Sequence, residues 1–361
     1  MNLLYTDIED DLRASVKDLL GDRAKPADVI ARCESEAPYD LDLWRRLAEL
    51  GVVSLHVPEE LGGQGASARE VAVVMEELGR SVAPVPFLGC AVLATTALLG
   101  CAPGEDVRAL LDAIGSGDRI AALAVSLATA PGTAAPDPVR AGTGLSGRVR
   151  SVADALPADV LLVPAQGVDG LELYAVAVAQ PGVEVTAVTS LDLTRPIADI
   201  TLDGATGTLL AGPESARSAV DGALWTAAGL LASEQVGIAE WCLETTVAYL
   251  KDRHQFGRPV GSFQALKHRL ADIWGDLVLA RAAARNAADD PGELSASVAK
   301  SLCSTLAVHA AEECVQLHGG IGMTWEHPAH LYLKRAKADS IALGTAGRHR
   351  QLLAPHANIP A

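Results

Sequence analysis

The order of hydrophobic and polar positions divides the chain into three stretches, and the first has the periodicity of helices. Leu43, Leu47 and Leu50 recur at the three- and four-residue spacing that brings side chains to one face of a helix. Ser67 follows a glycine-rich turn and precedes another apolar periodic run, so we expect it to be the N-cap of a second helix. We therefore predict an α-helical domain over residues 1–115.

The second stretch, residues 116–212, has the pattern of short strands. Short apolar runs typical of strands are separated by glycine, proline and aspartate at intervals that suit hairpins. These runs read IAALAVSLA, DVLLVPA, LYAVAVA and ADITLDG. We predict a small antiparallel β domain here.

The third stretch, residues 213–361, returns to helical periodicity. Residues 224–253 contain no proline and could form a helix of about 45 Å at 1.5 Å per residue. A second long run ends near Pro291, a third is closed by Gly319, and a fourth begins after Pro328. Four long helices with short breaks predict a four-helix bundle, and the fold class of the whole chain is α+β.

Composition narrows the possible partners and the compartment. A net charge of −16 opposes binding to nucleic acid or to an anionic membrane surface. No apolar run approaches the roughly 18 residues of a membrane span, and the acidic start is unlike a secretory signal. The six cysteines are scattered without a CxxC pair, so we predict reduced thiols, no metal site and a cytoplasmic location.

One local exception to the acidic balance is the stretch RHQFGRPVGSFQALKHRLAD, residues 253–272. A diphosphate requires cations, backbone N–H groups and room for close approach, which Arg253 and the glycine-broken segment after it could supply. Phe256 could lie against a ring system, and Gln264, one turn into the next helix, offers amide groups. The alternative is that these charges are only the solvated ends of two helices.

A second stretch, QLHGGIGMTWEHP at residues 316–328, also combines groups that suit a ligand. Gln316 ends a helix, and Gly319 and Gly320 would let another molecule approach the backbone closely. The alternative is a glycine C-cap followed by an ordinary loop.

Together the two stretches resemble the C-terminal domain of the acyl-CoA dehydrogenase family. The matching patterns are R-x-Q-F-G-x-P-x-x-x-F-Q-A-x-K-x-x-L-A-D and Q-x-H-G-G-x-G-x-T-x-E-x-P. VPEELGGQG and PVPF are similar to the family's N-terminal helical domain, and LDLTRPIADITLDGA resembles the end of its middle β domain. The resemblance implies an N-terminal helical domain, a middle β domain and a C-terminal four-helix bundle, assembled into dimers or tetramers.

The resemblance also implies a reaction and its participants. Family members dehydrogenate an acyl-CoA thioester between its α and β carbons, using a carboxylate base and FAD, and pass the electrons to an electron-transferring flavoprotein. The C-terminal motifs reach the FAD that is bound mainly by the neighbouring subunit. The implied FAD contacts in this chain are Arg253, Gln255, Phe256, Gln264, Gln316, Gly319, Gly320 and Thr345.

The sequence departs from the family where a chain would hold its own flavin ring and base. The usual catalytic glutamate before Gly-Thr is replaced by Leu343, and an alternative glutamate position on the first bundle helix falls at about Ala227. Leucine and alanine cannot accept a proton. The T-E-P strand end of the family's flavin-ring site is replaced by Ser126, Leu127 and Ala128.

This asymmetry predicts a non-catalytic subunit of a heteromeric α2β2 acyl-CoA dehydrogenase, similar to those of steroid-degrading actinobacteria. Such a subunit would complete the FAD site of a catalytic partner subunit, and by family analogy the substrate would be a fatty or sterol-derived acyl-CoA. Two alternatives stay open. The chain could be a self-sufficient homomer with a displaced base such as Glu234, or it could be a flavin-free scaffold.

Overall fold

The computed structural model describes residues 3–133 and 138–357, and its first region is helical. Ser67 caps a helix as predicted: its hydroxyl accepts from the backbone N–H of Arg69, and the Glu70 carboxylate accepts from the Ser67 N–H. The prediction for Leu50 is wrong, because its helix ends at Glu49 and leaves Leu50 half exposed. The helices are α1 (Asp7–Arg23), α2 (Pro26–Cys33), α3 (Leu41–Glu49), α4 (Ala68–Ser81), a π-helical segment (Phe87–Ala94) continuing into α5 (Thr95–Leu99), and α6 (Glu105–Gly115).

The middle region is one eight-stranded sheet. Along it the strands lie in the order β6-β7-β3-β2-β4-β5-β8, with β1 beside β4. The expectation of a purely antiparallel sheet is wrong, because β1 and β2 both run parallel to β4, while the other pairings are antiparallel. The strands are β1 (Ala121–Leu123), β2 (Val139–Ala141), β3 (Leu145–Ala153), β4 (Val160–Gln166), β5 (Leu171–Ala177), β6 (Val183–Val188), β7 (Ile197–Ala205) and β8 (Thr208–Ala211).

The third region contains the four long helices that the sequence predicts. The first begins at Ala216, eight residues before the apolar run that indicated it, and is buried along most of its length. A short hairpin of β9 (His254–Gln255) and β10 (Arg258–Pro259) separates it from the second helix. The helices are α7 (Ala216–Asp252), α8 (Gln264–Asp289), α9 (Glu293–His318) and α10 (Ala329–Ile341), followed by the short α11 (Ala346–Leu353).

Helices α4 and α7 cross at two glycines, which joins the first region to the bundle. A Cβ atom added at Gly79 would lie 2.1 Å from the carbonyl oxygen of Glu234, and one added at Gly237 would lie 2.0 Å from that of Glu76. The two backbones therefore touch directly, and only glycine is tolerated at either contact.

Within residues 3–133 and 138–357, no helix combines the length and the apolar character needed to cross a membrane.

Candidate functional site

The connection between α7 and α8 forms an exposed hinge. Arg253 is the C-cap of α7, and its backbone N–H donates to the carbonyl oxygen of Tyr249. The β9–β10 hairpin turns at Phe256 and Gly257, which both have positive φ, at 54° and 74°. This turn leaves the Phe256 side chain 89% exposed. Gln264 is the first residue of α8 rather than one turn inside it.

A surface groove of about 680 Å³ lies between this hinge and the end of α9. It brings together five of the residues predicted from the sequence to contact a cofactor: Arg253, Gln255, Gln316, Gly319 and Gly320. Phe256 and Gln264 are exposed on the same hinge but are not part of the groove wall. The structure therefore gathers the two sequence stretches at one place.

The groove wall has the chemistry of an anion site. It contains the guanidinium groups of Arg253 and Arg269 but no carboxylate. Arg269 donates to Glu313 at 2.6 Å, whereas Arg253 forms no ion pair with any residue of the described chain. Gly319 has φ +65°, and no atom lies within 4 Å of a Cβ built on Gly319 or Gly320. Free charge and open backbone together fit a dinucleotide diphosphate.

Among the groove-wall residues that were not predicted as cofactor contacts, two carry rings, Tyr249 and His318. Tyr249 is on the last turn of α7, and its ring stacks on the imidazole of His318 with centroids 4.5 Å apart. The signal for His318 was present in the Q-x-H-G-G pattern, but Tyr249 had none, because it lies outside both motifs.

Thr345 lies apart from the groove, at the start of α11. Its hydroxyl accepts from the backbone N–H of Arg348 at 3.2 Å and so caps that short helix. The structure therefore does not group Thr345 with the other predicted cofactor contacts.

Leu343, the residue that the resemblance predicts to stand at the position of the family's glutamate, is buried away from solvent. Its side chain is fully buried, and its backbone has φ +54°. The N–H of Leu343 donates to the carbonyl oxygen of Leu127 at 2.7 Å, and its own carbonyl oxygen lies 2.9 Å from Nε2 of His349. Since imidazole is the only possible donor in that second contact, the proton of His349 is on Nε2.

The loop after β1 packs over Leu343 and Gly344 from the side of the sheet. A Cβ atom added at Gly344 would lie 3.0 Å from Ala130, and one added at Gly132 would lie 3.9 Å from the Trp225 ring. Trp225 in turn meets the His349 ring edge-on at 6.2 Å. The loop after β1, where the resemblance predicts the T-E-P segment, thus packs against the end of the bundle.

Glu234 lies in a buried network of charges between the sheet and the bundle. Arg195, from the β6–β7 connection, donates to one carboxylate oxygen at 2.5 Å, and Arg335 of α10 donates to the other at 2.6 Å. Arg195 also donates to Asp339, and Arg335 also donates to Asp192. All five side chains are at least 93% buried.

The network holds Glu234 in its ionised form. Burial alone would raise the pKa of this carboxyl, but Arg195 and Arg335 outweigh it and lower the pKa below its usual value. The carboxylate is buried and each of its oxygens is paired with an arginine, so it is not exposed to a substrate. This geometry is that of an ion pair between two domains, and it argues against Glu234 as a displaced base.

Comparison with known proteins identifies the class. The chain matches the acyl-CoA dehydrogenase N-terminal domain over residues 6–118 and the acyl-CoA dehydrogenase C-terminal domain over residues 218–357. The chain therefore belongs to the acyl-CoA dehydrogenase family, and the expected family, its fold and FAD as its cofactor are confirmed.

Individual relatives place the chain within that family. It is 39% identical to the acyl-CoA dehydrogenase IpdE2 of Mycolicibacterium smegmatis, over 92% of this chain and 93% of that protein. One chain of the ChsE4–ChsE5 complex from Mycobacterium tuberculosis superposes with a TM-score of 0.88 at 30% identity, over the whole of both chains. A variant of the Tcur3481–Tcur3483 steroid ACAD superposes with a TM-score of 0.86 at 31% identity, over 98% of this chain and 99% of that one.

Proposed function

We propose that this chain is the non-catalytic subunit of a heteromeric acyl-CoA dehydrogenase, and that it completes the FAD site of a catalytic partner subunit. One asymmetry carries the proposal. The groove at Arg253 is open to solvent, and the Arg253 guanidinium has no ion pair among the described residues. By contrast, Leu343, at the predicted position of the base, is buried and hydrogen-bonded to Leu127. The two solved relatives are each described as a pair of different chains, which supports a partner of the same family.

In this assembly the groove would hold the diphosphate and adenosine end of the partner's FAD. Arg253 would neutralise phosphate charge, and the N–H groups around Gly319 and Gly320 would donate to phosphate oxygens at close range. When bound, the flavin supplies the acceptor for the β hydride of the acyl-CoA. The base that removes the α proton, and the pocket for the acyl chain, would both belong to the partner.

The finer features of the activity are proposals of the same kind. An acyl-CoA substrate and an electron-transferring flavoprotein as electron acceptor follow from the family reaction. A steroid-derived acyl group is favoured by the description of one solved relative as a steroid ACAD. A reducing cytoplasm suits six cysteines that are all free thiols. The division of the chain at residues 115/116 and 212/213 is proposed on the change from helix to sheet and back.

Co-expression tests the proposal directly. The chain would be produced alone, and also together with an acyl-CoA dehydrogenase chain that retains the glutamate and the T-E-P segment and is encoded beside it. We expect the lone chain to be colourless and inactive, and the purified pair to carry stoichiometric flavin and turnover. A lone chain with bound FAD and turnover would favour the homomeric alternative. A pair without flavin would favour the scaffold.

A further inference from the structure

Helices α7 and α9 pack side by side and run in the same direction. Gln235 Nε2 on α7 donates to Ser304 Oγ on α9 at 3.1 Å. The same number of residues further along each helix, the Tyr249 ring stacks on the His318 ring. Because the offset between the two helices is constant, each residue of α7 between these contacts faces a fixed part of α9.

Two free cysteines, Cys242 on α7 and Cys314 on α9, lie between those contacts. The Cys242 sulfhydryl donates a hydrogen bond to the Cys314 sulfur, and each side chain is at most 1% exposed. A disulfide requires two sulfurs that face each other from neighbouring backbones. Cys242 and Cys314 meet this requirement across the helix interface.

The surroundings of Cys314 favour its thiolate form. His318 Nδ1 lies 3.7 Å from the Cys314 sulfur, and Thr246 is hydrogen-bonded to the same sulfur. The hydrogen bond from Cys242, followed by those from His318 and Thr246, lowers the pKa of Cys314. Burial and the bond to Cys314 raise the pKa of Cys242 well above its usual value. Since the thiolate is the reactive form, Cys314 is the nucleophile of the pair.

His318 provides the countercharge for this thiolate. Burial would lower the pKa of His318, but its hydrogen bonds to the sulfur and the carbonyl oxygen of Cys314 outweigh burial and raise the pKa. The ring is therefore an imidazolium beside a thiolate, an arrangement that activates cysteine towards oxidants.

The other four cysteines of the chain lack these surroundings. Burial raises the pKa of Cys33 and Cys101 to about 11, and that of Cys90 and Cys303 to about 12. Cys33 is the most exposed of the four, yet it is protonated at neutral pH. Reactivity that followed exposure would select Cys33, whereas reactivity that followed the thiolate would select Cys314.

We propose that Cys242 and Cys314 form a reversible disulfide when the protein meets a hydroperoxide. The Cys314 thiolate attacks one peroxide oxygen, so that an S–O bond forms, the O–O bond breaks, and the hydroxide leaves as water with the proton of the His318 ring. The Cys242 sulfur then attacks the Cys314 sulfur and displaces hydroxide, which takes the Cys242 proton and leaves as a second water. The two thiols lose two electrons, and the peroxide gains them.

The disulfide would link α7 to α9 one helical turn before His318, beneath the groove wall. It would also remove the thiolate that pairs with His318, so the pKa of His318 should fall on oxidation. The inference does not depend on the proposed function, because every group that it uses belongs to this chain.

The test treats the full chain with hydrogen peroxide at neutral pH, alkylates the remaining thiols and maps the peptides by mass spectrometry. We expect the peptides of Cys242 and Cys314 to be linked, with a loss of two hydrogens, and dithiothreitol to separate them. The link should form at least about tenfold faster than the oxidation of Cys33. Oxidised glutathione should modify neither Cys242 nor Cys314, because both are too buried for so large a disulfide.

Substitutions separate the roles of the two sulfurs. Cys242→Ala should leave Cys314 as a sulfenic acid that dimedone traps, whereas Cys314→Ala should leave Cys242 unreacted. Cys303→Ala is the control, because Cys303 is a buried cysteine of the same helix whose sulfur donates to the carbonyl oxygen of Ala280. This variant should form the link at the rate of the unaltered chain.

The measurement on the unaltered chain needs no substitution, so it decides the proposal even if a variant fails to fold. If Cys33 is oxidised while Cys242 and Cys314 are still alkylated as free thiols, the proposal is overturned. A link that appears only in urea would also overturn it, since that link would be a property of the unfolded chain. A pKa of His318, followed by its ring resonances, that stays the same after the link forms would contradict the thiolate–imidazolium pair.

Discussion

The backbone N–H of Leu343 donates to the carbonyl oxygen of Leu127 at 2.7 Å, which joins the end of the bundle to the loop after the first strand. The family resemblance predicts the catalytic base at the first of these positions and the segment that holds the flavin ring at the second. Here the two segments bind each other. The position is therefore closed by the chain itself, and under the proposed function a partner subunit would supply both the base and the ring site.

Restoring the glutamate should not restore a base. Leu343→Glu would place a carboxyl in a fully buried position that already carries a positive φ. We expect a loss of at least about 3 kcal/mol in the free energy of unfolding, and no dehydrogenation by the lone chain. Urea unfolding and an acyl-CoA turnover assay measure the two effects.

The control for that substitution is Ile341→Glu, two residues earlier. Ile341 is 56% exposed, so the same glutamate there should change stability by less than about 0.5 kcal/mol. A stable Leu343→Glu chain that turned over substrate would show that the site is open after all.

Arg253 should matter for flavin retention by the heteromer. Arg253→Ala removes the unpaired cation of the groove, and we expect the FAD affinity of the assembled pair to fall at least about tenfold, in line with a charge-assisted hydrogen bond. Flavin release on dilution, followed by absorbance or fluorescence, measures this.

A neighbouring arginine provides the matched control. The guanidinium of Arg258 lies over the Phe263 ring at 3.9 Å and is not part of the groove wall. Arg258→Ala should therefore leave the FAD affinity almost unchanged. Equal losses in both variants would indicate a general effect of surface charge.

Glu234→Gln should destabilise the fold, since it leaves Arg195 and Arg335 buried with one carboxylate fewer. Breaking a buried pair in this way typically costs about 3–5 kcal/mol. Thermal or urea unfolding of the lone chain measures it, with Glu244→Gln as control. Glu244 is 57% exposed and pairs with Arg80, so its loss should cost less than about 1 kcal/mol.

The result also decides the role of Glu234 in turnover. If Glu234 were a base, the Glu234→Gln variant would lose turnover in the assembled pair without losing stability. If Glu234 is an ion-pair residue between the sheet and the bundle, the variant should lose stability first. Unchanged unfolding of Glu234→Gln, combined with abolished turnover, would contradict the structural role.

Acid should weaken the fold through Glu9, which is fully buried at the start of α1. Burial raises the pKa of this carboxyl, but hydrogen bonds from Arg69, the Thr6 backbone and Arg285 together lower it from 4.5 to about 2. Because the folded pKa is the lower one, the stabilisation is present above pH 4.5 and is lost as the pH falls towards 2. Its size is about 3 kcal/mol.

Unfolding in urea at a series of pH values measures this contribution. Glu9→Gln should be less stable than the unaltered chain at pH 6, and the difference should shrink as the pH falls below 4.5. Asp10→Asn, a substitution of an exposed acid in the same helical turn, is the control and should change the stability by less than about 1 kcal/mol. A difference for Glu9→Gln that stayed constant with pH would contradict the assignment.

The sequence allowed the prediction of elements that local periodicity and capping determine. The four bundle helices and the Ser67 cap follow from patterns within a few residues, and the motifs around Arg253 and Gln316 indicated one site before their proximity was visible. The parallel pairing of β1 with β4 could not be predicted. It depends on how strands distant in the chain meet, and period-two alternation is the same in either direction.

The role of Glu234 also required the tertiary structure. As a mid-helix glutamate in an apolar run, it was open to interpretation as a base or as a paired group. The two interpretations are distinguished only by the ion pairs that Glu234 forms with Arg195, from the β6–β7 connection, and with Arg335, from α10. Tyr249 was missed for a similar reason, because its place in the groove depends on stacking across two helices.

The crossing of α4 and α7 at Gly79 and Gly237 has a consequence for how this subunit can be divided or exchanged. Because the two main chains are in contact there, removing either helix would expose a long buried face of the other, which includes many apolar side chains. A fragment of residues 213–361 alone should therefore aggregate, and it should not form the nucleotide-binding groove in isolation. An exchange of this subunit between enzyme complexes would therefore have to keep the first helical region and the C-terminal bundle together.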